Sequence, residues 1–453
     1  MQNEKVMKQY SISLFLILIS SLFVIFNADA PDKISNIGVL LVLFYHFVTL
    51  SIGYLIINKT MTRKFKLSRI VFLNYFLLGY TISLCLDYFY WIPELIKDYS
   101  SDTWGAFDPI KYYAIAFEMT KGISMPDALN FPVVYIYYIE FLLFGTHPLI
   151  PFFINSLGYL YAVISVAKFL NNNSIGLQTA KYAWLFLIPE VLYFNLTASK
   201  DIICLICATI IFCHSQRIIA RNYNTGNIIV VLVAFVVMFV ARTSMALAAA
   251  ISILIFYVDF RKINLKTISF LAVGLVVFVF STRFTNSLGV AKSTTVDGIS
   301  DLATKQLSGD MSSSIELRDG SAGVAALALV PHNSFEFVVF GVARSFVTAN
   351  TSPKEIMNML DFSNINMTVR ITGLLMSLSW LVLFFAMTKR KYYSHKEIRM
   401  LLIVVLLYFL IVGLSTPLMV HKRYRIIYDL LFFALTIKSI LFLKINHSKN
   451  VLH

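Results

Sequence analysis

The chain has 453 residues, 58% of them hydrophobic and 14% charged, with a formal net charge of +14 and a mean hydropathy of +0.75. That balance excludes an ordinary soluble globule. Apolar runs of about 18 residues or more recur and read as transmembrane helices, because lipid offers the backbone no outside hydrogen-bond partner. The surplus of Lys and Arg is assigned to cytosolic loops and not to a nucleic-acid partner.

The first apolar run, 10–26, is longer than the apolar core of a signal peptide, although Ala28-Asp29-Ala30 behind it has the form of a cleavage site. It reads as the first span. Further candidate spans are 37–57, 70–92, 150–170, 179–197, 202–218, 227–241, 243–259, 267–281, 369–388, 400–420 and 426–444. The expected fold is therefore all-α: a polytopic helical bundle of about 12 spans in one domain over 1–453. Lys59, Arg63, Lys64, Lys66 and Arg69 place segment 58–69 in the cytosol, and Arg261, Lys262, Lys266, the 389–399 segment and the C-terminal tail follow it there. Both termini are expected in the cytosol of a bacterial inner membrane. Cys85, Cys204, Cys207 and Cys213 all lie in apolar surroundings, and Cys204-x-x-Cys207 has no His beside it, so no zinc or redox role is read from them.

Between the third and fourth spans lies a polar, acidic and aromatic island, Tyr99 to Asn130, within an expected outer loop over 97–149. If Asp108 starts a helix, Lys111 and Tyr112 follow on its face. Residues 131–147 look apolar enough to cross, yet a full crossing would put Arg261, Lys262 and Lys266 outside. A re-entrant or interfacial helix is expected instead. A second outer loop is expected over 282–368, with interfacial helices in its apolar second half.

Ionisable residues then converge on the outer face. His421-Lys422-Arg423-Tyr424-Arg425 sits outside against the usual charge bias; it either binds a diphosphate through arginine forks or anchors the interface by snorkelling. Arg242 and Arg344 are isolated cations in apolar surroundings, where an acid or a ligand must compensate them. In Ser199-Lys200-Asp201, Ser199 suits a helix cap and Asp201 a first turn; Lys200 opposes the helix dipole and is the better functional candidate. Asp108 reads either as a general base or as the cap of a helix with Pro109 in its first turn. Asp87, Glu140 and Glu190 lie in apolar runs and need partners, and His332 stands alone. No phosphate-binding glycine loop, metal-spaced histidine pair or nucleophile elbow occurs, so a phosphate-linked substrate is expected to arrive by way of the lipid.

The loop carrying Asp108, Tyr112 and Ala116 resembles the first outer loop of GT-C glycosyltransferases, and FPVVYIYYIEFLLFG is similar to their proline-then-aromatic stretch. The SKD junction, Arg242 and the late HKRYR resemble bacterial polysaccharide polymerases of the Wzy and EpsG kind. His332-Asn333 is loosely similar to an element of O-antigen polymerases and ligases. The resemblance implies a GT-C-like fold and a polymerase of polyprenyl-diphosphate-linked oligosaccharide repeats, such as O-antigen or capsule. It calls for no cofactor or metal, and for membrane lipid and a chain-length regulator as partners. Arg242, Arg344, Arg423 and Arg425, with Tyr112 and His421, would bind the diphosphate and glycan; Asp108, Lys200 and His332 would act in catalysis. The GT-C acidic pair is not matched, since Pro109 follows Asp108. Two alternatives remain: a GT-C transferase adding a single sugar from a polyprenyl-phosphate donor, and a flippase, which predicts internal repeats.

Overall fold

In the computed structural model, the described residues are 2–28, 35–61, 66–100, 108–123, 132–171, 177–195, 198–219, 225–242, 366–389, 401–406 and 421–450, with isolated positions besides. The expected spans 243–259 and 267–281 and the loop 282–368 lie almost wholly outside them. The elements are α1 (Gln2–Ala28), α2 (Val39–Thr60), α3 (Lys66–Leu86), a π turn (Asp87–Trp91), α4 (Ile92–Ser100), α5 (Asp108–Thr120), α6 (Val133–Phe144) and α7 (Leu149–Leu170). A 3-10 segment (Leu177–Leu187) follows, then α8 (Pro189–Phe194), α9 (Lys200–Ile219), α10 (Thr225–Ala241), α11 (Asn366–Met387) and α12 (His421–Asn450). All are helical. Five stretches among the described residues are long and apolar enough to cross a membrane: Val6–Ala28, Val39–Thr60, Leu67–Lys97, Leu149–Leu170 and Lys200–Ile218.

The chain divides into two compact units, Met1–Ile206 with Phe433–His453, and Cys207–Phe432. In the first, α1 and α3 run parallel and are clasped by polar side chains. Asn74 donates to the Gln9 carbonyl (3.1 Å) and to Gln9 Oε1 (2.7 Å) and accepts from Ser13, while Thr81 reaches the Leu16 carbonyl (3.4 Å). At the far end Asn27 Nδ2 donates to the Leu84 carbonyl at 3.1 Å. His46 on α2 ties three helices, with Nδ1 3.0 Å from the Tyr80 hydroxyl and Nε2 3.2 Å from Ser21 Oγ. Such bonds hold helices together where burial of apolar surface gives no drive in lipid. The outward faces of α1 and α2 are apolar and exposed, with Leu14, Phe15 and Leu18 on one and Leu40, Phe44 and Leu55 on the other, as lipid-facing surfaces require.

The expected span 179–197 is not one helix. It is a 3-10 segment that stops at Ile188, where Pro189 starts α8. Pro189 has no N–H to continue the ladder. The 3-10 backbone is held by neighbours: the Tyr159 hydroxyl donates to the Leu185 carbonyl, and Gly79 of α3 lets the Phe186 carbonyl approach so closely that a Cβ there would lie 2.5 Å from it. Around α8, Ser83 donates to the Leu192 carbonyl at 3.1 Å and Asn195 Nδ2 to Ser156 Oγ at 2.9 Å.

The α6 helix has 12 residues. At 1.5 Å per residue it is about 18 Å long, short of the roughly 30 Å a span needs. It ends on Gly145, whose φ of 83° is the left-handed conformation that glycine adopts without cost. The next residues are bonded to the connection between α1 and α2. The Asn36 N–H donates to the Thr146 carbonyl (3.0 Å) and the Thr146 N–H to Asn36 Oδ1 (2.7 Å). The His147 ring is fully buried, its Nδ1 accepts from the Leu149 N–H at 3.1 Å, and burial pushes it down to about 3, offset in part by the Ala28 carbonyl. With Nδ1 accepting, the proton of the neutral ring sits on Nε2, which is buried without a hydrogen-bond partner among the described residues. In this unit α12 also contributes Lys438, whose ammonium donates to the Leu170 carbonyl at the end of α7 (2.7 Å).

In the second unit, His214 Nδ1 lies 2.9 Å from Asn227 Oδ1, joining α9 to α10, and the rings of Trp380 (α11) and Phe432 (α12) are 4.9 Å apart. Both contacts knit helices within that unit.

Candidate functional site

The site is built in the first unit by α5, α6 and the start of α9. Asp108 opens α5, as the Asp-Pro pair predicts, and from Ile110 to Phe117 only Lys111 is not buried. The Tyr113 ring meets Phe141 of α6 edge-on at 5.1 Å, which sets the two helices face to face. On α6 the buried positions are Val133, Val134, Tyr137, Glu140 and Phe141, a helical stripe. Ile139, Leu142 and Leu143 stay exposed on the opposite side. Packing α6 on its buried stripe therefore carries Tyr137 and Glu140 inward.

The N-terminus of α9 closes the site. Ser199 Oγ accepts the Asp201 N–H at 3.2 Å and its hydroxyl lies 3.4 Å from Asp201 Oδ2, so Ser199 caps the helix as expected. Asp201 is fully buried and Lys200 is half-buried, with its ammonium 5.5 Å from the centre of the Tyr112 ring. The Tyr137 phenol is held well above its usual range, by burial first and then by Glu140, Tyr112, Asp201 and Cys204 around it. Burial alone raises Glu140 to about 8. Tyr137 Oη and Glu140 Oε2 are buried with no hydrogen-bond partner among the described residues.

At neutral pH the Glu140 carboxyl therefore carries its proton and is a donor, as is the Tyr137 hydroxyl. With the Lys200 ammonium against the neighbouring Tyr112 ring, these groups offer donors and a cation to an oxygen-rich or anionic group. Among the described residues no group of three or more His, Cys, Asp or Glu side chains is placed to hold a metal ion, and the four cysteines form no disulfide.

Of the residues singled out in the sequence, Tyr112 and Lys200 meet here, and Asp108 begins the helix that carries Tyr112. Arg242 follows the last turn of α10 in the second unit and is 8% exposed; its N–H donates to the Met238 carbonyl at 2.7 Å. A cation there also suits the C-terminal end of the α10 dipole. His421, Arg423 and Arg425 form the first turns of α12, also in the second unit. Arg344 and His332 lie outside the described residues. Sequence reasoning treated Glu140 only as an acid in need of a partner and passed over Tyr137; their i, i+3 spacing in FPVVYIYYIEFLLFG was the available signal. It also passed over Asp429, fully buried in α12 four residues after Arg425.

Comparison of the chain with protein-family models, with curated proteins and with solved structures finds no match in any of the three.

Proposed function

We propose that the protein is a membrane glycosyltransferase that polymerises polyprenyl-diphosphate-linked oligosaccharide repeats on the outer face of a bacterial inner membrane. The observation that carries this reading is the cluster of Lys200, Tyr112, Tyr137, Glu140 and Asp201, gathered from three elements of an apolar helical protein. Charged and hydrogen-bonding groups buried among apolar helices are expensive, and function is the usual reason to keep them.

In this reading an acceptor sugar hydroxyl attacks the anomeric carbon of the donor glycan. The new glycosidic C–O bond forms as the bond to the polyprenyl diphosphate breaks, and the hydroxyl proton passes to a carboxylate, with Asp108 in that role. Lys200 offsets charge on the departing diphosphate, while Arg242, Arg344, Arg423 and Arg425 with His421 hold diphosphate and glycan. Tyr112 binds substrate beside Lys200, and His332 is a further catalytic candidate. The full fold is then a GT-C-like bundle of about 12 spans, with both termini in the cytosol.

The test is a surface-polysaccharide gel from a deletion strain complemented with wild type or with Arg423→Ala. A ladder that collapses to a single-repeat band and is not restored by a normally expressed Arg423→Ala supports a polymerase with Arg423 in its site. A full ladder lacking one sugar moves the assignment to a single-sugar transferase, and loss of all polymer moves it to a flippase. Cysteine accessibility checks the orientation: positions 104, 305 and 422 label from outside and position 65 from the cytosol. Labelling of position 422 from inside only removes the arginines from the proposed face.

A further inference from the structure

Asp87 belongs to neither the cluster nor the proposed chemistry. It opens the π turn Asp87–Trp91 within the candidate span Leu67–Lys97, and it is fully buried. Neither of its carboxylate oxygens has a hydrogen-bond partner, and it makes no ion pair, among the described residues. Asn27, 2% exposed near the end of α1, also has an Oδ1 without a partner among the described residues. Its Nδ2 is committed to the Leu84 carbonyl at 3.1 Å. Leu84 and Asp87 are three residues apart and share a helix face, so this bond fixes Asn27 on the face that bears Asp87. The rings of Phe23 and Phe26 lie 6.4 and 5.8 Å from Tyr88, which holds the same end of α1 against the π turn.

The two Asp87 oxygens and Asn27 Oδ1, on elements joined at Leu84, are thus buried with no donor among the described residues. A lone carboxylate inside a span is among the costliest groups a membrane protein can hold, and a partner of opposite charge removes most of that cost. The π turn adds a second signal: such turns inside helices are rare and occur frequently at functional sites. We propose that Asp87 and Asn27 form a monovalent-cation site at the π turn, occupied by a proton or a sodium ion. One carboxylate balances one positive charge; a divalent ion would leave a net charge buried and would lack the ligands it requires.

The surrounding groups leave that role to the cation. The last turn of α1 carries no ionisable side chain; α3 offers Tyr80 and Cys85, the π turn Tyr88 and Tyr90, and α8, bonded to α3 through Ser83, the buried Glu190 and Tyr193. On α4, Lys97 is exposed, and the side chains of Glu94 and Asp98 lie outside the described residues. His147, beside the Ala28 carbonyl, is held neutral by burial. The site stands independently of the glycosyl-transfer reading.

The test uses the full-length protein in detergent micelles, melted across pH in choline chloride and again with added sodium chloride, beside Asp87→Asn. Asparagine has the shape of aspartate and brings its own N–H donors. The wild type is expected to melt higher as pH falls or as sodium is added, and Asp87→Asn to lose the sodium response and to keep only the part of the pH response that buried Glu140 supplies. Loss of pH response alone in Asp87→Asn identifies a proton and a response to sodium identifies the metal ion. Identical responses of the two proteins overturn the proposal. Should Asp87→Asn fail to fold, the wild type is treated with dicyclohexylcarbodiimide, which adds to a carboxyl group in its protonated form, and the Asp87 peptide is followed by mass spectrometry. Labelling that declines with rising pH or is suppressed by sodium supports the site. No labelling between about pH 5 and 9, or labelling indifferent to both, overturns it.

Discussion

The ammonium of Lys200 lies 5.5 Å from the centre of the Tyr112 ring, within reach of a cation–π attraction, and the two residues come from the starts of different helices. Lys200 occupies the first position of α9, where the helix dipole disfavours a cation, so a ring face there lowers its cost by about 0.5–1 kcal/mol. An arriving anion would lower it further. Lys200→Met is expected to cut polymerisation by ~10²-fold, the loss typical of one charge-stabilising group, at unchanged protein level. Tyr112→Phe keeps the ring and is expected to retain most activity, whereas Tyr112→Leu follows Lys200→Met. In vitro chain extension on a lipid-linked repeat separates these outcomes. A Tyr112→Phe as weak as Tyr112→Leu would assign the role to the hydroxyl.

Glu140 makes stability depend on pH in a defined direction. Burial raises its carboxyl from 4.5 to about 8 in the folded protein. In the range between those values the unfolded chain has lost the proton that the folded protein keeps, so folding becomes less favourable as pH rises. Below that range, where both states are protonated, the penalty is absent; above about 8 it reaches its full size. Glu140→Gln, which cannot ionise, is expected to remove the Glu140 share of this slope and to melt above the wild type at pH 8. Parallel melting curves for the two proteins across pH 5 to 8 would contradict the burial described for Glu140.

The length of the apolar runs located α1, α2, α7 and α9 in the sequence, and local chemistry located two helix starts: Asp108-Pro109 for α5 and Ser199 for α9. Both signals act within one turn. The π turn at Asp87 has no such signature; the Asn27 amide that bonds the Leu84 carbonyl just before it comes from 57 residues away in sequence. The 3-10 segment is likewise held from outside, by Tyr159 and by the space at Gly79. Tyr137 and Glu140 were visible as neighbours on one helix face. That this face meets Asp201 and Cys204 follows only from how α6 packs, since its exposed side is as apolar as its buried one.

Gly145 tests the join between the two connections. Its φ of 83° already disfavours any side chain, and a Cβ would run into the Ile37 side chain and come within 3.2 Å of Asn36 Oδ1. Gly145→Ala is expected to destabilise the protein by ~2 kcal/mol or more, from backbone strain and overpacking together. Adding Ile37→Ala makes room for the methyl group but leaves φ unchanged, so the double variant recovers only part of the loss. Full recovery would show that packing alone requires glycine there.

Asn74 tests what holds α1 to α3. Its amide nitrogen serves Gln9 twice and its oxygen accepts from Ser13, whose hydroxyl also lies 3.2 Å from the Gln9 carbonyl. Asn74→Leu keeps the volume and strands little, because Ser13 retains that second acceptor and Gln9 is half-exposed. Its expected cost is about 1 kcal/mol, within the range of polar contacts between membrane helices. Asn74→Asp changes one atom and is expected to cost more at neutral pH: a carboxylate cannot donate to Gln9, and its charge is buried against the Gln9 carbonyl and Oε1. The order of melting temperatures should be wild type, Asn74→Leu, Asn74→Asp, with the last two exchanging places as the pH is lowered and the aspartate gains a proton to donate. If Asn74→Leu melts lowest at every pH, packing volume and not donor geometry holds the two helices together.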